Sequence, residues 1–128
     1  LIASTLVGIV AQRMVRRICT HCCAPSQPSI EEQIAYEDEM KEQPTTFYSG
    51  AGCNLCANTG YRGRTGLFEL LVMSEEIRRM LLSNTGAGDI RAEALREGMI
   101  TMKRDGMLKV KEGITSVSEV LRSVFSIG

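Results

Sequence analysis

The chain has 128 residues, the length of one domain or of one lobe of a larger protein. Fifteen Lys and Arg balance 15 Asp and Glu, and this zero net charge argues against a general binder of polyanions. Apolar residues at 44% and charged residues at 23% exclude a disordered, collagen-like or coiled-coil chain, and no apolar run reaches the roughly 18 residues of a membrane-spanning helix.

Residues 1–18 carry Ala3, Val7, Val10, Met14 and Ile18 at intervals of three and four, which predicts a helix. Its first half is apolar nearly all round, so we expect it to pack against a larger body upstream of Leu1, the chain being an excised fragment. Arg13, Arg16 and Arg17 follow the apolar run, the reverse of the order in a signal peptide.

Residues 24–46 hold all three prolines and the acidic run 31–42, with six acids against one Lys. That run has a net charge of −5, so the rest of the chain carries +5. Ser29 and Glu32 have the spacing of a capping box for a helix. Ile30, Ile34 and Tyr36 give that helix only a thin apolar stripe, which predicts a solvated surface excursion acting as a spacer.

TTFY, residues 45–48, is a short strand candidate, and SGAGCNLCANTG is dense in turn residues. TGLFELLVM reads as a strand with Phe68, Leu70 and Val72 on one face and Leu67, Glu69 and Leu71 on the other. Apolar residues on both faces predict little solvent exposure, with Glu69 the polar exception.

Four helices are expected over 74–126. Ser74 starts one with Ile77, Met80 and Leu81 inward. Asp89 caps a short one carrying Ala92, Ala94 and Leu95, stopped near Gly98. A third runs from Thr101 to Glu112 and ends at Gly113, where glycine suits a left-handed cap. Ser116 and Glu119 form a second capping box for a helix that buries Val117, Val120, Leu121, Val124 and Phe125. The seven Met read as core filler.

Five cysteines fall in two clusters, Cys19, Cys22 and Cys23, then Cys53 and Cys56. Cys19 with Cys22 is one C-x2-C and Cys53 with Cys56 is another, separated by 30 residues. A two-residue gap lets one tight turn present two sulfurs to one point, and tetrahedral zinc takes four thiolates at about 2.3 Å. Four cysteines leave no open position for water, so the expected zinc is structural. Cys23 also has a permitted spacing; Cys22 is favoured because its gap matches the second knuckle. His21 sits between better ligands and reads as a knuckle surface residue. An iron–sulfur centre and a redox C-x-x-C remain the alternatives at these cysteines.

No phosphate loop or dinucleotide-binding glycine motif is present. Gly60, Gly63 and Gly66, flanked by Arg62 and Arg64, fit strand-entry turns as well as an anion contact. No catalytic centre is visible in this chain.

AQRMVRRICTHC, GCNLCANTGYRGRTGLFELL and DGMLKVKEGITSVSEVLRSV, read in that order, resemble the C-terminal part of the assembly ATPases of type II secretion and type IV pilus extension. The resemblance covers nearly the whole chain except 24–46. Retraction ATPases of the same superfamily lack the cysteines, so the tetracysteine pattern points to the secretion or extension branch.

The resemblance implies a cytoplasmic homohexameric motor at the inner-membrane face, a RecA-like P-loop ATPase whose ATP and Mg2+ site lies upstream of Leu1. Its implied partners are that upstream ATPase domain, neighbouring subunits and an inner-membrane platform protein, with no direct nucleic acid. Cys19, Cys22, Cys53 and Cys56 carry over as zinc ligands.

The expected fold is α+β and mainly helical. Residues 1–18 would be a terminal helix of the upstream core, 19–60 a zinc-nucleated β subdomain with the insert 24–46, 61–73 a strand segment, and 74–128 a helical subdomain. The rivals are a stand-alone zinc ribbon that binds nucleic acid, using Arg13, Arg16, Arg17, Arg62 and Arg64, and a redox protein using Cys19 and Cys22.

Overall fold

The helix expected over residues 1–18 is replaced by a long strand. A computed structural model describes residues 7–43 and 46–125, and in it Gly8–Ile18 is β1, paired antiparallel with β4, Tyr61–Val72. The part of the expected helix before Val7 lies outside the described residues. Ile9, Val10, Val15 and Ile18 are β-branched and suit a pleated ribbon. A spacing of three and four fits a two-sided strand as well as a helix, and the partner strand some fifty positions on decides between them. The register places Val10 opposite Leu70, Gln12 opposite Phe68 and Arg16 opposite Arg64, with an irregularity between Arg16 and Ile18.

The remaining elements follow in chain order. β2 is Cys23–Ser26, α1 is Ile30–Met40 and β3 is Phe47–Gly50, with a 3-10 turn at Asn54–Cys56 before β4. Then come α2 Glu75–Leu82, α3 Ala87–Arg96, α4 Met102–Lys111 and α5 Val117–Phe125. β2 and β3 form a second antiparallel pair. The class is α+β, with five helices and two small sheets among the described residues.

One face of the β1–β4 ribbon packs against α4 and α5. Val15 and Leu67 are buried there with Met107, Val110, Val117 and Val120. Gly106 on α4 allows the close approach, since a Cβ at that position would lie 2.6 Å from a Val120 methyl. Asp105 on the same helix accepts the Phe68 backbone N–H at 2.9 Å. The expectation that β4 is covered on both faces holds for one face only. Phe68, Leu70 and Val72 are exposed, and Val10 and Met14 continue that apolar face across β1.

The acidic segment is docked on one face, with Tyr36 and Met40 its buried residues. Its capping box forms, with the Glu32 N–H donating to Ser29 Oγ and the Ser29 N–H donating to Glu32 Oε1. The inward residues are Tyr36 and Met40, whereas Ile30 and Ile34 are exposed. Tyr36 meets Phe47 edge-on at 5.1 Å between ring centres, and the Arg104 guanidinium donates to the Glu39 carbonyl at 3.1 Å. One buried aromatic and one buried Met anchor this helix more firmly than a stripe of exposed Ile does.

The C-terminal helices follow the expected order. Ser74 caps α2, whose Ile77 and Met80 are buried, with Met73 and Ala94 joining Ile77 in a second small core. The cap of α3 is Gly86 and not Asp89, which lies within the first turn. A carboxylate there meets the free N–H groups without being the cap. Thr101 caps α4, and Gly113 follows its end at φ +79°. Ser116 Oγ accepts the Glu119 N–H at 3.3 Å, but the return half of that expected capping box is absent, because the Glu119 carboxylate is turned to Arg16. No helix of the described residues is long and apolar enough to cross a membrane.

Candidate metal centre

Cys19 directly follows β1, and Cys22 closes the turn that leads into β2. Cys53 and Cys56 flank the 3-10 turn. The Cys53 carbonyl accepts the N–H groups of Cys56 at 3.3 Å and of Asn58 at 2.8 Å, and Ala57 and Asn58 take left-handed conformations. This folds the C-x2-C so that both sulfurs point the same way.

Two contacts bring the knuckles together. The Cys19 N–H donates to the Gly60 carbonyl at 2.9 Å, and the Ala51 N–H donates to the Cys22 carbonyl at 3.1 Å. Gly50 and Gly60 cross so closely that a Cβ on Gly50 would sit 2.1 Å from the Gly60 oxygen. Upstream, the Ile18 N–H donates to Ile114 and Thr115 Oγ1 donates to the Arg16 carbonyl, each at 2.8 Å. The end of β1 is thereby held to the α4–α5 loop.

The sulfurs of Cys19, Cys22, Cys53 and Cys56 all lie within 4.8 Å of one another. Cys19 to Cys53 and Cys22 to Cys56 are each 3.8 Å, and Cys53 to Cys56 is 3.7 Å. A tetrahedron of metal–sulfur bonds of about 2.3 Å has an edge of about 3.8 Å, so these residues fit a four-thiolate metal. All five cysteines are free thiols. Cys23 is exposed on β2 and is not in the group, and His21 is exposed.

Backbone N–H groups aim at two of the four sulfurs. Gly52 donates to Cys22 at 3.3 Å, and Cys53 and Gly60 each donate to Cys56 at 3.3 Å. For Cys56, burial raises the thiol pKa, but the Cys53 and Gly60 N–H groups outweigh it and bring it down to about 6. For Cys22 the Gly52 N–H pulls downward, yet burial and the neighbouring thiols push the value up to about 12.

The glycine–arginine run lies along β4. Gly60 and Gly63 have positive φ, Gly66 sits within the strand, and Arg62 and Arg64 are exposed. Two carboxylates hold structural roles that no motif signals. Glu119 receives β1, and Glu69 accepts Arg91 at 3.0 Å and the Met102 N–H at 2.9 Å. Glu69 shows in the sequence only as a lone acid in an apolar run, and Glu119 only as the third position of a capping box, which does not announce its contact with β1.

Fold and site together define a small α+β unit whose two cysteine knuckles close on one point. The chain belongs to the family described as Type II/IV secretion system protein, whose model matches residues 1–122. A type IV pilus assembly ATPase of Thermus thermophilus, PilB, is 40% identical over 121 residues, which cover 94% of this chain and 14% of the relative. The type II secretion system ATPase E of Vibrio cholerae is 37% identical over 95% of this chain and 24% of its own length. The type IV pilus assembly ATPase TfpB of Acinetobacter baylyi is 34% identical over 97% of this chain and 21% of its own length. The chain thus spans less than a quarter of the length of each of these three relatives.

Proposed function

We propose that this chain is the C-terminal portion of an assembly ATPase that powers type II secretion or type IV pilus extension, with Cys19, Cys22, Cys53 and Cys56 holding one structural zinc. The observation that carries the metal reading is that three S···S distances are 3.7–3.8 Å, the edge of a tetrahedral thiolate site, with all four sulfurs within 4.8 Å of one another. A bound zinc supplies a closed four-coordinate cross-link and no reactive water. The chain's own residues do the rest. Gly52, Cys53 and Gly60 orient two sulfurs through N–H donation, the Gly50–Gly60 crossing closes the loop of the second knuckle, and the Cys19 and Ala51 N–H groups hold that loop to the first.

ATP and Mg2+ binding, hydrolysis, assembly into a homohexamer and coupling to an inner-membrane platform protein on the cytoplasmic side belong to the whole protein. The exposed apolar face of Val10, Met14, Phe68, Leu70 and Val72 supports contact with the upstream RecA-like core.

Elemental analysis of the purified chain tests the metal reading, with one zinc per chain expected. Folded, reduced protein without metal overturns it and revives the redox alternative. ATP turnover by the full-length protein, absent from this chain alone, tests the motor reading.

A further inference from the structure

We propose that the corner joining α4 to α5, residues 114–119, positions the metal centre, with Thr115 and Glu119 as the residues that set how tightly zinc is held. This rests on the zinc reading above. Neither residue belongs to the sulfur group. Both act through the chain that delivers the knuckles: Arg16 to Ile18 runs into Cys19, and Gly60 to Tyr61 runs from the second C-x2-C into β4.

One corner holds both segments. The Arg16 N–H and guanidinium donate to Glu119, and Thr115 Oγ1 donates to the Arg16 carbonyl at 2.8 Å. The Ile18 N–H donates to the Ile114 carbonyl at 2.8 Å. Tyr61, opposite Ile18 in the ribbon, pairs its hydroxyl with that of Ser116 at 2.8 Å. Its neighbour Gly60 meets both knuckles, its carbonyl accepting the Cys19 N–H at 2.9 Å and its N–H pointing at the Cys56 sulfur at 3.3 Å. These contacts are buried, with Thr115 1%, Glu119 2%, Ile18 4% and Cys19 0% exposed. A polar group that loses its partner there has no water to replace it.

The backbone around Cys19 and Gly60 is therefore fixed by the corner and not by the metal alone. Zinc has less chain to order when it binds, and preorganised ligands bind more tightly. Contacts outside the ligand set typically change metal affinity about 10–100-fold. Such coupling is reciprocal: the factor by which the docked corner favours zinc is the factor by which zinc favours the docked corner.

The test uses the full 128-residue chain as wild type, Thr115→Val, Glu119→Gln and Ile77→Val. Thr115→Val keeps the shape and removes the hydroxyl. Ile77→Val is the control, a buried change in the small core that contains no cysteine. Zinc affinity is measured by competition with a chromogenic chelator, at a temperature where circular dichroism shows the variants folded. Thr115→Val and Glu119→Gln are each expected to bind zinc about tenfold more weakly, and Ile77→Val as tightly as wild type. In wild type, zinc removal is expected to speed amide exchange at Ile18 and Val120, whose N–H groups bond to Ile114 and Ser116. Wild-type affinity in Thr115→Val and Glu119→Gln, or an equal loss in Ile77→Val, overturns the inference and leaves the zinc reading intact. Where a variant does not fold, unchanged exchange at Ile18 and Val120 on zinc removal overturns it in the same way. A wild-type chain that holds no zinc overturns both.

Discussion

Glu119 on α5 receives both the backbone N–H and the guanidinium of Arg16 on β1, across 103 positions of sequence, at 3.0 Å and 2.6–2.9 Å. The carboxylate is 2% exposed and also takes the Arg122 guanidinium at 2.8 Å. Arg16 in turn lies 4.2 Å from the Tyr61 ring centre, and Tyr61 Oη pairs with Ser116 Oγ at 2.8 Å. This contact ties the ribbon that leads into Cys19 to the last helix.

Glu119→Gln should therefore cost about 2 kcal/mol, the scale of hydrogen bonds to a charged group, with no larger figure because both guanidinium partners are substantially exposed. Burial pushes the Glu119 carboxyl up, but hydrogen bonds from Arg16 and Arg122 outweigh it and hold it below its ordinary value of 4.5. A depressed folded value gives stability that is present above the unfolded value and lost as pH falls through the folded one. Thermal unfolding at neutral pH should separate wild type from Glu119→Gln, and the gap should narrow below pH 4.5. A gap that persists unchanged in acid contradicts the charge-based account.

Gly50→Ala should disrupt the metal centre. Its Cβ would meet the Gly60 carbonyl oxygen at 2.1 Å, and both atoms belong to backbone that cannot rotate away. We expect a loss of about 1–3 kcal/mol, the usual range for overpacking, together with a fall in bound zinc. Gly88→Ala on α3 is the control, since nothing lies within 4 Å of its Cβ position. That change should stabilise by up to about 1 kcal/mol through helix propensity. Zinc content and melting temperature of the two variants decide the point.

Tyr36 fixes the acidic helix. It is 2% exposed, packs edge-on against Phe47, and donates its hydroxyl to Glu42 at 3.0 Å, which also pairs with Lys111. Tyr36→Ala should cost about 3–5 kcal/mol as a buried aromatic truncation, and Tyr36→Phe about 1 kcal/mol as one hydrogen bond. Ile34→Ala, at an exposed position, should be close to neutral. Urea titrations of the three variants measure this order, and a large loss at Ile34 contradicts the docked orientation.

Removal of metal by a chelator should act locally. Amide exchange is expected to rise at Gly52, Cys53 and Gly60, whose N–H groups point at sulfur. The small core of Met73, Ile77 and Ala94 contains no cysteine and should keep the amides of α2 and α3 protected. Uniform loss of protection along the chain would show that the metal supports the whole fold.

Much of this molecule is legible in its residues because the signals act over a few positions. Ser29 with Glu32, Ser74 and Thr101 cap helices through N–H groups two or three residues on, and Gly113 takes the positive φ that stops α4. Each C-x2-C is likewise a local turn, so the paired knuckles stand out in the linear order of residues. Tertiary structure decided what depends on distant partners. β1 is a strand because β4 supplies its ladder, and the same apolar spacing without that edge reads as a helix. Tyr36 and Met40 face inward because Phe47 and α4 meet them there, which no periodicity within the insert announces. Glu119 has cap spacing, yet its carboxylate goes to Arg16, because the backbone N–H and the guanidinium of that residue offer a charge-assisted contact that the helix end does not. Local backbone chemistry was readable directly, whereas pairing across the chain required the fold that brings the partners together.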